Sequence, residues 1–327
     1  MKFEERPQVE VKRGTSDRFS LRIGELPNGQ PVHMPVMTAS GRSDGPTIFF
    51  NACMHGDEIL GSDVVRRVMR ELNPEELVGT VIAVPVANPM GQATRTRRNV
   101  MEMYPGPHDM NRIFPGIGDG ILTERIAAVL DSQFSAIADY VFDLHCASVG
   151  GLWQPYATIP PLSACASPEA LARTDTLARA FGTPLILKDY LFAGSLIEPV
   201  LKRGGAATMA EFGVANVIDR PTVEFGMRGM RNVLRALGML DGAAEQVEQL
   251  DLVDMHRIRT DRGGYMTLEV EIGADVEQGQ LLATVEDLAG EVLQEITAPV
   301  AGRVCRINTM GVVGSGDFVA FVGQGER

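Results

Sequence analysis

Thr47-Ile48-Phe49-Phe50-Asn51-Ala52-Cys53-Met54-His55-Gly56-Asp57-Glu58 is the stretch on which the reading of this chain turns. Its first eight residues form a short apolar run of the kind that makes a buried strand, and the run ends on the tetrapeptide His55-Gly56-Asp57-Glu58. From Ile59 to Leu72 the apolar residues Ile59, Val64, Val65, Val68, Met69 and Leu72 recur at helical spacing, and Asn73-Pro74 stops the helix. A histidine and a glutamate therefore stand where a strand hands over to a helix.

The alternation continues on either side. Strands are expected at Val32–Ser40 (after the Pro27-Asn28-Gly29-Gln30 turn), Thr80–Val86, Tyr140–His145, Pro184–Leu187 and Ala206–Phe212. Helices are expected at Thr123–Phe134 (capped by Thr123), Pro168–Phe181, Leu196–Lys202 and Thr222–Leu240. Such alternation predicts an α/β sheet covered on both faces and at least partly parallel, with ligand groups at the carboxyl ends of its strands. After about residue 255 the texture changes to short alternating segments broken by glycine turns such as Gly273-Ala274, Gly279-Gln280 and Gly302-Arg303. Two domains are expected: residues 1–255, and a smaller all-β unit at 256–327.

Composition narrows the function. The 327 residues carry 42 acidic and 30 basic side chains, a net charge of -12, which argues against a nucleic-acid binder held by counterion release. Hydrophobic residues make up 45%, yet no apolar run approaches the roughly 20 residues that a spanning helix needs, so no membrane partner is expected. Cys53, Cys146, Cys165 and Cys305 are scattered, giving neither a thiolate zinc knuckle nor a disulfide framework. That pattern and a charged start without an apolar signal region place the chain in the cytoplasm. Its size and acidity are compatible with a homo-oligomer.

The chemistry is sought at strand ends. His55, Glu58 and His145 supply two imidazoles and a carboxylate, which with an open fourth position make a zinc arrangement suited to hydrolysis. Singly, each has a plainer reading: Glu58 suits a helix start, and His145 suits a core position. Asn111-Arg112, in a Pro/Gly-rich loop, offers paired donors for a carboxylate. Glu211 ends a strand, a poor place for a charge without a task, and Arg95-Thr96-Arg97-Arg98 supplies cations to an acidic chain.

Taken in order, His55-Gly56-Asp57-Glu58, Asn88-Pro89, the arginine loop, Asp109-Met110-Asn111-Arg112-Ile113-Phe114-Pro115-Gly116, Asp143-Leu144-His145 and Glu211-Phe212-Gly213 resemble the aspartoacylase/succinylglutamate desuccinylase family of zinc carboxypeptidase-like hydrolases. The resemblance covers roughly Thr47 to Leu240. It implies a carboxypeptidase-like α/β/α fold with a mixed central sheet, one Zn2+ per subunit, and hydrolysis of the amide of an N-acyl amino acid. It implies His55, Glu58 and His145 as metal ligands and Glu211 as the general base that becomes a general acid. Asn111 and Arg112 would fix the substrate carboxylate. Arg98 is the choice for the oxyanion, with Arg97 and Arg95 as competitors because Val100–His108 looks longer than in compact members. Asp143 is assigned a structural role on the opposite face of its strand. Trp153, Tyr156 and Tyr265 are candidate pocket aromatics, packing being the plainer role.

The C-terminal segment, with Gly279-Gln280-Leu281-Leu282, Ala298-Pro299-Val300-Ala301-Gly302-Arg303-Val304 and Gly314-Ser315-Gly316-Asp317, is similar to the barrel-sandwich hybrid of biotinyl and lipoyl carriers. The four lysines are Lys2, Lys12, Lys188 and Lys202, so the expected hairpin tip near Asp287–Glu291 has none to modify. The resemblance to the deacylases implies that this domain borders the active-site mouth. A metallocarboxypeptidase acting on short peptides and a non-catalytic ligand-binding protein on the same fold remain the alternatives.

Overall fold

A computed structural model of the chain describes residues 4–103 and 108–326. Residues 104–107, within the Val100–His108 stretch, lie outside the described residues, as do 1–3 and 327. The decisive stretch folds as read: strand Ser43–Ala52 runs into helix Ile59–Glu71 through the intervening tetrapeptide. Ser43–Ala52 pairs in parallel with Val78–Val84 on one side and Tyr140–Ala147 on the other, and Tyr140–Ala147 pairs in parallel with Ala206–Val214. Antiparallel strands Thr15–Glu25, Pro31–Ser40 and Tyr156–Thr158 flank this parallel centre, so the sheet is mixed.

Period-two alternation explains how one strand feeds two cores. Ile48, Phe50 and Ala52 face the layer that contains helices Ile59–Glu71, Pro168–Ala180 and Arg220–Ala236, while Phe49 faces Ile126, Leu130 and Phe134 on the other side. The result is the α/β/α sandwich with a mixed central sheet. Helix Arg220–Ala236 lies close because Gly226 and Gly229 are bare; a Cβ at Gly229 would stand 2.7 Å from the Phe181 ring. Phe181 in turn stacks on Phe142 at 4.9 Å between centroids.

One expected cap is wrong. Helix Leu122–Val129 starts one residue earlier, with Glu124 accepting from the Ile121 backbone N–H, while Thr123 donates from its backbone and hydroxyl to Glu102. Thr123 is drawn into a helix position by a carboxylate from another loop.

A separate four-stranded antiparallel sheet, Val292–Thr297, Leu281–Glu286, Gly264–Leu268 and Val312–Val313, forms the small C-terminal unit with strands of the main sheet. The main sheet does not stop at the unit's border. Leu250–Arg259 crosses residues 255/256, pairing with Leu185–Leu187 at its start and with Phe318–Gly325 along its length. Gly151–Trp153 adds to Gly302–Asn308, placing Trp153 opposite Arg306. These two seams fix the β unit against the carboxyl ends of the parallel strands. No helix among the described residues is long and apolar enough to cross a membrane.

Because the Phe181 ring is rigid and buried, Gly229→Val is expected to overpack the helix seam and lower stability by about 1–3 kcal/mol. Urea unfolding checks this as a lower midpoint at unchanged slope.

Candidate active site

Gly56 sets the site's geometry. A Cβ there would stand 1.9 Å from the Gly91 carbonyl carbon, so only glycine lets the loop nest on the helix Pro89–Thr94. That helix is held in turn by Asn88, whose side chain accepts from Gly91 N–H at 2.8 Å and whose own N–H donates to Cys53 O. Cys53 turns the chain at a positive φ of 53°, and Gly56 N–H donates to Arg97 O at 3.2 Å. The end of one strand thus pins both the metal-type loop and the arginine loop.

His55, Glu58 and His145 converge, with one candidate ligand atom from each lying within 4.8 Å of the others, all buried. Glu58 faces both imidazoles: His55 Nδ1 is 2.7 Å from its Oε1 and His145 Nδ1 is 2.8 Å from its Oε2. The far ring nitrogens meet carboxylates, His55 Nε2 at 2.9 Å from Asp109 and His145 Nε2 at 2.8 Å from Asp143. An Nε2–H donated to each carboxylate leaves both Nδ1 lone pairs aimed at one centre, the orientation that supporting carboxylates give to metal-binding histidines.

The electrostatics fit a dication at this centre. Burial alone would push the Glu58 carboxyl up, but His55 and His145 hold it well below the usual carboxylate range. Burial would push both imidazoles down, yet Glu58 with Asp109 raises His55, and Asp143 with Glu58 raises His145 well above its ordinary value. Three carboxylates, Glu58, Asp109 and Asp143, thus converge on the two imidazoles, and a divalent ion held by both Nδ1 atoms and Glu58 would offset that negative charge.

Asp143 is therefore no bystander on the opposite face. It stands two residues before His145, so the two share a face, and it also accepts from Asn51 Nδ2 at 2.7 Å. Glu211 sits beside His145 in register on one side and beside Tyr156 on the other. Burial first, and then Glu58, pushes its carboxyl up to about 7.

Of the expected arginines, Arg97 lines the cavity and Arg98 does not. Arg97 donates to Glu58 at 2.9 Å and to Ser148 at 3.1 Å and pairs with Asp109, whereas the Arg98 side chain is exposed and lines no part of the cavity. The Gly56–Arg97 backbone bond is the cause, since it turns residue 97 inward and leaves its neighbour outside. Arg95 takes a left-handed conformation at the end of the short helix and is also exposed.

A cavity of about 160 Å³ opens in front of the triad. Asn111 and Arg112 line it, Asn111 held by Leu196 N–H at 2.9 Å and the Arg112 guanidinium carbon resting 4.0 Å over the Phe192 ring. Trp153 and Tyr156 line it too, whereas Tyr265 lies half-exposed on the separate four-stranded sheet. The sequence reading missed Arg257, Arg306 and Phe321, which reach the cavity from beyond residue 255. An arginine inside the otherwise apolar run Val304-Cys305-Arg306-Ile307 was the available signal.

A polar centre of this composition, at the carboxyl ends of parallel strands in a mixed α/β/α sheet, is suited to metal-assisted hydrolysis. Residues 44–237 match the family model of the succinylglutamate desuccinylase/aspartoacylase catalytic domain, and the chain belongs to that family. Residues 259–320 match the model of the RND MFP barrel-sandwich hybrid domain, in keeping with the resemblance seen in the C-terminal segment. The chain is 29% identical to an N-alpha-acetyl-L-2,4-diaminobutyric acid deacetylase from Halomonas elongata over 90% of its own length and 84% of the relative's. It is similar to the crystal structure of a succinylglutamate desuccinylase/aspartoacylase from Rhodobacter sphaeroides, with a TM-score of 0.86, 25% identity and 98% of each chain covered. It is also similar to the product-bound ectoine utilization protein EutE (DoeB) from Ruegeria pomeroyi, with a TM-score of 0.85, 25% identity and 96% and 97% of the two chains covered.

Losing a supporting carboxylate is expected to loosen the hold of His55, Glu58 and His145 on any divalent ion. Asp143→Ala should weaken divalent-ion affinity about 10–100-fold, read by competition with a chromophoric chelator.

Proposed function

We propose that this chain is a zinc-dependent amidohydrolase that releases the acyl group of an N-acyl amino acid. The observation that carries the reading is the convergence of His55, Glu58 and His145, two of which line a single small cavity together with Glu211. The activities named for the Halomonas and Ruegeria relatives support an N-acyl amino acid as the substrate class. A cavity of about 160 Å³ suits one small acyl amino acid better than a peptide.

Arg112 and Asn111 hold the substrate carboxylate. The Arg112 guanidinium stacks on Phe192 and has no carboxylate partner among the described residues, so its donors are available to an incoming anion. Asn111 is braced by Leu196 N–H, which fixes where its amide points. His55, Glu58 and His145 would hold zinc, which would supply the Lewis acidity that activates water and polarises the scissile carbonyl. Glu211 accepts the proton of the attacking water and returns it to the leaving nitrogen, a transfer suited to a carboxyl raised to about 7. Arg97, at the edge of the triad, stabilises charge developing on the carbonyl oxygen.

Glu211→Gln is expected to keep stoichiometric zinc by elemental analysis while turnover of N-acetyl amino acids vanishes; retained turnover rules out Glu211 as the base. Arg97→Ala should lower kcat about 10²–10³-fold and Arg98→Ala should leave it near wild type. The pH profile follows from the raised carboxyl. Below its pKa Glu211 is protonated and cannot act as a base, so kcat/KM should fall as pH drops, with a limb no higher than about 7 because a neighbouring dication favours the carboxylate.

A further inference from the structure

A second pocket, of about 790 Å³, shares no lining residue with the catalytic cavity. That volume falls in the range of roughly 300–1,000 Å³ typical of small-molecule sites. Its walls are the continuations of the elements that build the metal-type centre. Ile59 follows Glu58 directly and, with Ser62 and Asp63, presents the start of helix Ile59–Glu71 to the pocket. Gln92 follows Gly91, on which Gly56 nests, and Arg95 ends the same short helix just before the inward-turned Arg97. Asn216 enters from the loop after strand Ala206–Val214, which carries Glu211, and its N–H donates to Asp57 O at 2.7 Å.

The lining defines a chemistry. Met37, Ile59, Val86 and Ile218 make the walls largely apolar, with Ser62, Gln92 and Asn216 as neutral polar groups among them. The rim is cationic. Arg66 and Arg67 share a single carboxylate, since Asp63 accepts from Arg66 Nε at 2.7 Å and from Arg67 Nε at 2.6 Å. Arg95 is exposed and forms no salt bridge among the described residues. Asp219, beside Ile218, is turned into helix Arg220–Ala236, where it accepts from Thr222 N–H at 2.9 Å. Three guanidiniums therefore stand over one carboxylate, in a chain whose net charge is -12. An apolar wall beneath an excess of guanidinium complements an organic anion with an apolar body, because the hydrocarbon leaves water while the charge stays at the rim.

We propose that this pocket is a second ligand site, separate from the catalytic cavity, which takes an apolar carboxylate with a straight-chain or aromatic body. Its carboxylate meets Arg95 and Arg66, and its hydrocarbon lies on Met37, Ile59, Val86 and Ile218. An occupant bears on the turn behind Glu58 and on the helix end that precedes Arg97, so it braces both loops of the metal-type centre. Occupancy and divalent-ion binding at His55, Glu58 and His145 then favour each other by the same factor in both directions.

Calorimetry with octanoate, 2-naphthylacetate and octylamine on the metal-free full-length chain tests the site, with Arg95→Glu, Ile218→Trp and Arg112→Ala as variants. Both exchanged rim residues are exposed, so neither substitution strains the core. One or both carboxylates should bind and octylamine should not, which also tells chain from ring. Arg95→Glu should weaken that binding at least about tenfold, Ile218→Trp should block it by filling the pocket, and Arg112→Ala should leave it unchanged. Zinc titrated against a chromophoric chelator should bind more tightly with the carboxylate present in wild type, and not in Ile218→Trp. Failure of both carboxylates to bind, equal binding of octylamine, or loss of binding in Arg112→Ala alone overturns the proposal. Carboxylate binding that leaves zinc affinity unchanged overturns the coupling. Self-association abolished by Ile218→Trp, with no carboxylate bound, gives the pocket to a second copy of the chain and overturns the small-molecule reading. Because the binding arm uses no metal and no turnover, its outcome is independent of the amidohydrolase reading.

Discussion

One carboxylate shared between two imidazoles organises this molecule. Glu58 has no backbone freedom to spare, because its own N–H donates to His55 O at 3.0 Å and it heads the helix Ile59–Glu71. Its two oxygens reach His55 and His145, and Cys146 N–H approaches one of them at 3.3 Å. Two strands and a helix are thereby tied through a buried anion. Such an anion is tolerated only where opposing charge surrounds it, and Asp109, Asp143 and Arg97 complete an arrangement whose balance calls for two further positive charges.

The order of elements follows from that demand. Parallel strands bring several carboxyl ends to one edge, so His145, Glu211 and the tetrapeptide come together from positions far apart in the sequence. Their precision depends on small residues. Gly56 lets the loop lie on Gly91, and the same contact places the backbone of Arg97, so the metal-type centre and its neighbouring cation are positioned by one close approach.

What could be read from sequence divides along the same line. The strand-to-helix transitions were legible because local hydrophobic period sets them, and helix Ile59–Glu71 and strand Tyr140–Ala147 fall within two residues of expectation. The triad was legible from motif order. The choice between Arg97 and Arg98 was not, since both share one loop and a backbone bond to a distant glycine decides which turns inward. Asp143 was misread through its spacing from His145, although residues two apart on a strand necessarily share a face. Arg306 carried a local signal, an arginine inside an apolar run, but its cavity did not, because Trp153 and Tyr156 lie more than a hundred residues upstream and no local period reports a seam such as Trp153 against Arg306.

The charge balance gains a different meaning in the folded chain. A net charge of -12 repels anions at long range, but at physiological salt that repulsion is screened over about 8 Å. Inside the cavity the local arrangement prevails over the total. The carboxylates nearest the centre are satisfied by the imidazoles and Arg97, while Arg112, Arg257 and Arg306 form no salt bridge among the described residues. Two of these three cations come from the C-terminal unit, so the seams that extend the main sheet past residue 255 do more than pack two domains. They bring Arg257 and Arg306 to the cavity that His55, His145 and Glu211 line, so cations of the β unit face the titratable groups of the α/β unit there.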